Sequence, residues 1–321
     1  SDSRYFNREG HYDEVGAYQS PDSPYASWYQ FTHFPDQYDC WWGFVGMPNT
    51  KELDPSYLDY QVTGENSTVR QWMRRGVDGW RLDVADELPD AFLTQLKQVV
   101  RQENPEALLL GEVWEDASNK VAYGVRRQYF WGQSLDSVTN YPFRVAMLDF
   151  LTGVQGGYAT YRRMMSLYEN YPRGQFYALM NMTGSHDTAR LLTQLAQAPD
   201  PEGMSEFQRG QYRLSPEQLL LGVTRVKLYA LLQFTHPGMP CIYYGDEVGM
   251  QGYADPYNRG PYPWGRENED LRDYFRWLAK ERRQSPELTE GDYRPLSPCE
   301  TVYGHLRTLE GVASLVLVNA G

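Results

Sequence analysis

Cysteine is scarce in this chain. Cys40, Cys241 and Cys299 are three in 321 residues and lie far apart, so they form neither a disulfide framework nor a thiolate metal cluster. Five histidines occur, at positions 11, 33, 186, 236 and 305. None belongs to an H-E-x-x-H or similar ligand pair, which argues against zinc. No apolar run approaches the ~20 residues of a membrane-spanning helix. Positive charge is in deficit: 30 Lys and Arg stand against 42 Asp and Glu, a net charge of −12, with pI near 4.9. Nucleic acid is thereby disfavoured as a partner, and no basic run points to a membrane surface. Unpaired cysteines favour a reducing, cytoplasmic compartment. The start shows no signal peptide, and we expect the natural N-terminus to lie further upstream.

What the chain has in excess is aromatic surface: 26 Tyr, 9 Trp and 12 Phe make 15% of it. Flat faces with a polar edge suit sugar rings, and they also fill cores. A chain of this length can bury a large core, as one domain or two.

Residues 1–62 are rich in Tyr, Trp, Asp, Pro and Gly without clear periodicity, as expected of a loop-rich protruding domain that builds a site or a lid. From 63 to 292 the texture becomes short apolar strands alternating with amphipathic helices, the pattern of βα units on a parallel sheet. Strands are expected at 79–84, 107–113, 136–140, 177–182 and 239–244. Pro89 opens a helix with Phe92, Leu93, Leu96, Val99 and Val100 on one face, and Asn104-Pro105 closes it. Ser215 and Gln218 have capping-box spacing ahead of 219–234. Leu271, Tyr274, Phe275 and Leu278 mark another helical face. Over 293–321 the period becomes two, and Leu309-Glu310-Gly311 predicts a hairpin turn between strands.

Three strand ends carry acids. In Gly79-Trp80-Arg81-Leu82-Asp83, strand alternation puts Arg81 and Asp83 on one face, where a guanidinium favours the ionised carboxylate. Such a carboxylate can be a nucleophile, although an isolated R-x-D is more simply an ion pair. Glu112 in Gly111-Glu112-Val113-Trp114 ends an apolar strand, a setting that favours the protonated acid; a loop-start ion pair is the plainer alternative. In Gly184-Ser185-His186-Asp187-Thr188, His and Asp stand together where a helix N-cap would also fit. Parallel β/α barrels gather such ends into one pocket. An ionised and a protonated carboxyl there are what retaining glycoside hydrolysis requires.

These three segments resemble, in order, signature regions of the α-amylase family of glycoside hydrolases. Asn140-Tyr141-Pro142-Phe143 and Pro240-Cys241-Ile242-Tyr243-Tyr244-Gly245-Asp246-Glu247 resemble its sixth- and eighth-strand regions. Asp83-Val84-Ala85-Asp86-Glu87 is most similar to the neopullulanase, cyclomaltodextrinase and maltogenic amylase group. Met47-Pro48-Asn49-Thr50 matches that group only in part. The resemblance implies a (β/α)8 TIM barrel of the α-amylase type. It makes Asp83 the nucleophile, Glu112 the acid/base and Asp187 the transition-state stabiliser, with Arg81 and His186 on the sugar. It places Glu87 and Trp114 on the leaving-group side, where each reads equally well as a helix-start charge or a packed indole. Asp246 and Glu247 read as structural.

The family's first signature, an Asp and an Asn-His after the third strand, does not occur. We therefore expect a barrel lacking its first three or so βα units, with 293–321 the beginning of a C-terminal β-domain. Exposed sheet edges in such a barrel lead to an expectation of homo-oligomers. The expected partner is an α-glucan oligosaccharide: a maltodextrin, a cyclodextrin or a relative. The expected activity is retaining hydrolysis of α-1,4 links. A glucanotransferase or glucoside isomerase would share the three acids. A non-catalytic sugar-binding or transporter-accessory protein of the same fold would not need them. The mechanism requires no cofactor. The resemblance leaves room for calcium, but no D-x-D-x-D-G loop names a site.

Overall fold

The computed structural model describes residues 3–131 and 134–321. It divides into two compact units. The first holds the described residues up to Leu109 with Trp131, Ser134 and Leu135, and the second holds Leu110–Phe130 and Asp136–Gly321.

In the first unit, the segment without periodicity has a core made largely of rings. Phe6, Ala17, Trp28 and Tyr29 are buried, and Tyr5, Tyr18, Tyr25, Phe31, Tyr38 and Tyr57 pack on them. Many of these rings meet edge to face, as Phe6 and Tyr38 do at 4.8 Å and Trp28 and Tyr57 at 5.2 Å, the arrangement that ring quadrupoles favour. Part of the tyrosine excess is therefore structural. Strands β1 (Phe31–His33) and β2 (Gln37–Tyr38) form a short antiparallel pair. Asp54 caps α1 (Pro55–Leu58), accepting from the backbone N–H groups of Ser56 and Tyr57.

Helix α2 (Thr68–Arg74) leads into β3 (Gly79–Leu82). Helix α3 (Asp90–Glu103) buries the predicted face of Phe92, Leu93, Leu96, Val99 and Val100, and Asn104 ends it. It returns to β4 (Leu108–Gly111). Gly79 is required here, because a Cβ would stand 2.3 Å from the Leu108 carbonyl oxygen.

The second unit contains a run of parallel strands. Leu110 and Gly111 pair with Ser137 and Val138 of β7, after a small hairpin of β5 (Val121–Ala122) and β6 (Val125–Arg126). Thr139 bridges to Met180, and β8 (Met180–Met182) pairs with β9 (Met239–Cys241). Between β7 and β8 come α4 (Tyr141–Thr152), α5 (Gly157–Asn170) and α6 (Arg173–Tyr177). Between β8 and β9 come α7 (Leu191–Leu195), α8 (Glu206–Gln211) and α9 (Pro216–Thr235). Ser215 and Gln218 make both bonds of the predicted capping box on α9. Helices α10 (Glu269–Gln284) and α11 (Pro286–Thr289) precede an antiparallel sheet of β10 (Asp292–Cys299), β11 (Val302–Leu309) and β12 (Val312–Asn319). The predicted turn is present, with Glu310 at φ 48° and Gly311 at φ 85°, as a two-residue hairpin of this hand needs. No helix among the described residues is long and apolar enough to cross a membrane.

Candidate active site

Asp83 follows β3 directly in the first unit. The Arg81 guanidinium donates to its carboxylate, confirming the shared face expected from strand alternation. The Asp83 side chain is 68% exposed, so the pair leaves the carboxylate open to an incoming group. Val84 then adopts φ 42°. For a β-branched residue this left-handed conformation is strained, and such strain collects at functional sites. The turn carries the chain into a 3-10 turn at Ala85–Glu87. There the Glu87 carboxylate accepts from Trp42 Nε1 at 3.3 Å. Trp42, which motif reading did not single out, is itself at φ 47° and 72% exposed, and it stacks on Trp41 at 5.0 Å.

The other four predicted residues lie in the second unit, where side chains supplement the backbone ladder at the strand ends. The Thr139 hydroxyl accepts from Val113 N and donates to Val113 O, both at 3.0 Å. Asn140 caps α4 through Phe143 N and donates to Asn181 Oδ1 at 2.7 Å. Gln233 then donates to the carbonyls of Asn181 and Cys241. Paired buried amides of this kind hold the ends of neighbouring strands in fixed relation.

Glu112 is buried between the bonded residues Gly111 and Val113, 5% exposed. Beside it, Tyr141 hydrogen-bonds Ser185 Oγ at 3.1 Å. Burial, with the charges of Glu112 and Asp187, pushes the Tyr141 phenol up to about 12 against the hydrogen bond from Ser185. Tyr141 is thus a neutral hydroxyl among acids. Trp114 lies flat on the Tyr141 ring at 3.9 Å and 10°, while remaining 47% exposed. Its free face is the kind of surface a sugar ring stacks on.

His186 Nε2 is 3.2 Å from Asp187 Oδ2. Within the turn, the Ser185 hydroxyl accepts from Asp187 N and the Thr188 hydroxyl from Ser185 N. Helix α7 begins only at Leu191 with Arg190 at its cap position, so Asp187 is not the N-cap its sequence setting also allowed. A later segment holds the turn from outside. Asn258 donates to the carbonyls of His186 and Thr188 at 2.8 Å each, and Arg259 donates to the His186 carbonyl at 3.1 Å. The Arg259 guanidinium also lies 3.6 Å from Asp187 Oδ1.

Asp246 anchors the same turn from the interior. Its carboxylate accepts from Thr183 at 2.7 Å and from Arg190 at 3.3 Å, and both charged side chains are fully buried. The Tyr243 and Tyr244 rings lie 4.2 and 4.6 Å from the guanidinium, offering it π faces in place of water. Asp246→Ala leaves Arg190 buried without its counter-ion. We expect a loss of ~3–5 kcal/mol at neutral pH in chemical denaturation. Burial outweighs Thr183 and Arg190 and pushes the Asp246 carboxyl up to about 6. The folded state therefore binds this proton more tightly than the unfolded chain, and ionisation costs stability as pH rises from about 4 to about 6. Asp246→Asn should lack that component, and identical pH–stability curves for variant and wild type would refute it.

Among the described residues, no group of three or more His, Cys, Asp or Glu side chains is placed to hold a metal ion.

Acids at the ends of parallel strands, next to an indole with a free face, are the equipment of a β/α glycoside hydrolase. Comparison with known proteins leads to the same class. The model of the α-amylase catalytic domain matches residues 59–289, and the chain belongs to the α-amylase family of glycoside hydrolases. It is 35% identical over 341 residues to an amylopullulanase of Thermoanaerobacter thermohydrosulfuricus, covering 96% of this chain and 22% of that protein. It is 32% identical over 288 residues to a cyclomaltodextrinase of a Bacillus species, covering 86% and 45%. The chain thus spans less than half the length of these relatives.

Among solved structures, the cyclic α-maltosyl-(1→6)-maltose hydrolase of Arthrobacter globiformis superimposes with a TM-score of 0.79 at 25% identity, covering 95% of this chain and 63% of that one. A cyclomaltodextrinase gives 0.75 at 30% identity, covering 92% and 47%. The fold class is accordingly that of α-amylase-family TIM-barrel enzymes, and cyclomaltodextrinases and neopullulanases are among the relatives, as the motifs implied. The amylopullulanases are an addition that the motifs did not single out.

Proposed function

We propose that this protein is a retaining α-glucan hydrolase cleaving α-1,4-glucosidic bonds of maltodextrins, cyclodextrins or related oligosaccharides. Asp83 attacks the anomeric carbon while Glu112 donates its proton to the departing glycosidic oxygen. Glu112 then takes a proton from water, which attacks the anomeric carbon and releases Asp83. Asp187, with His186 beside it, stabilises the oxocarbenium-like transition states, and Arg81 orients Asp83 through its hydrogen bond. Trp114 and Glu87 contribute to the leaving-group side. Residues 1–62 would form the protruding domain, 63–292 the catalytic β/α region and 293–321 the β-domain.

The observation that supports this reading best is the grouping of Glu112, His186 and Asp187 around Tyr141, with the exposed indole of Trp114 stacked on that ring. Double displacement needs no cofactor. Proton NMR of fresh maltotriose digests tests it: the reducing-end product released from the donor side should appear first as the α-anomer and mutarotate later. Initial release of the β-anomer would eliminate Asp83 as a nucleophile.

A further inference from the structure

The second unit also contains a cavity of about 230 Å³ between the 209–213 segment and the 251–260 segment. That is several times the ~30 Å³ share of one water, room for a single sugar ring with a substituent. Arg209 and Arg213 line it, and no acidic residue does. Among the described residues Arg209 has no ion-pair partner, and its buried Nε has no hydrogen-bond partner. Arg213 Nη1 donates only to the carbonyls of Gly210 and Tyr212. In a chain of net charge −12, two arginines lining a cavity that no carboxylate lines form a local attraction for an anion.

The remaining wall is aromatic. Tyr212 and Tyr253 meet at 5.6 Å, and Tyr257 lies beneath the Arg209 guanidinium at 5.8 Å. All three hydroxyls are engaged elsewhere, donating to Gln218, Pro199 and Glu206. What they offer the cavity is therefore ring surface, which suits the C–H face of a sugar.

We propose that this cavity binds an anionic monosaccharide, a hexose phosphate in its chemistry, with Arg209 and Arg213 on the charge and the tyrosine rings against the sugar. None of the hydrolytic acids lines it, but it shares a segment of chain with the His186–Asp187 turn. Tyr257 and Gly260 line it, while Asn258 and Arg259 hold the His186–Asp187 turn.

Calorimetric titration of the full chain with glucose 6-phosphate, glucose and inorganic phosphate tests the assignment. Glucose 6-phosphate should bind roughly tenfold or more tightly than glucose, the share of one charged hydrogen bond, and should weaken as salt is raised. Arg209→Gln and Arg213→Gln should each lose that preference without altering the near-ultraviolet circular dichroism spectrum. Gly210→Leu is an independent variant that leaves both charges in place. Its new side chain would start 3.2 Å from the Tyr257 ring, and binding of glucose 6-phosphate should be lost. Absence of binding, equal affinity for glucose, or unchanged affinity in the arginine variants would overturn the site. Inorganic phosphate binding as tightly as the sugar phosphate would overturn the role of the rings.

Discussion

Asp83→Asn should abolish maltodextrin hydrolysis, with kcat/KM falling on the order of 10⁴-fold or more, the range seen when an essential member of a covalent catalytic unit is removed. Asparagine keeps the size of the side chain and an acceptor for Arg81, but its amide cannot form and release a glycosyl ester. The effect should be confined to chemistry. The Asp83 side chain is 68% exposed, and its pair with Arg81 is at the surface, where such pairs contribute ~1 kcal/mol or less to stability. The variant should therefore denature close to the wild type and still bind maltodextrin in calorimetry. Residual turnover above roughly a hundredth of the wild type would reassign Asp83 to a supporting role. A large loss of stability would say instead that the ion pair is structural.

The sequence showed those features that local chemistry encodes. Helix α3 was legible because a one-sided apolar stripe follows a proline, and α9 because a capping box opens a long apolar run. Helix α4 was not, since Tyr141, Phe143, Arg144, Ala146, Met147, Phe150 and Leu151 are all buried; with little polar face left there is no period to read. All five expected strands are present but shorter than their apolar runs. Past the ends of two of them, backbone groups bond to side chains instead of a neighbouring strand: Val113 N and O meet the Thr139 hydroxyl, and Tyr243 N donates to the Thr183 hydroxyl. In the first 62 residues, order comes from ring packing among Phe6, Trp28, Tyr29 and their neighbours, and aromatic edge-to-face contacts have no sequence period.

The acids themselves were legible because each follows a short strand within a compact motif, Asp83 and Glu112 directly and Asp187 in the turn beyond β8. Arg259 was not, because it reaches Asp187 from a distant loop and its chemistry depends on where that loop lands. The polar cluster Asp255-Pro256-Tyr257-Asn258-Arg259, soon after a strand end, was the available signal, since loops on a rigid scaffold often carry function.

Glu112→Gln should separate the two half-reactions that Asp83→Asn stops together. Glu112 is 5% exposed, and glutamine preserves its volume and hydrogen-bonding capacity, so the fold should be retained. What disappears is the proton. On maltodextrin the glycosidic oxygen must be protonated as it leaves, and the rate should fall ~10²–10⁴-fold. On α-maltosyl fluoride the leaving group departs as an anion, so glycosylation of Asp83 should survive while the following attack by water, now without a base, becomes slow. A burst of fluoride followed by a slow steady state is the expected trace. Azide needs no deprotonation and should restore turnover, giving the α-glycosyl azide through the same retained intermediate. Equal losses on maltodextrin and on the fluoride, with no azide product, would remove Glu112 from the acid/base role while leaving the family assignment untouched.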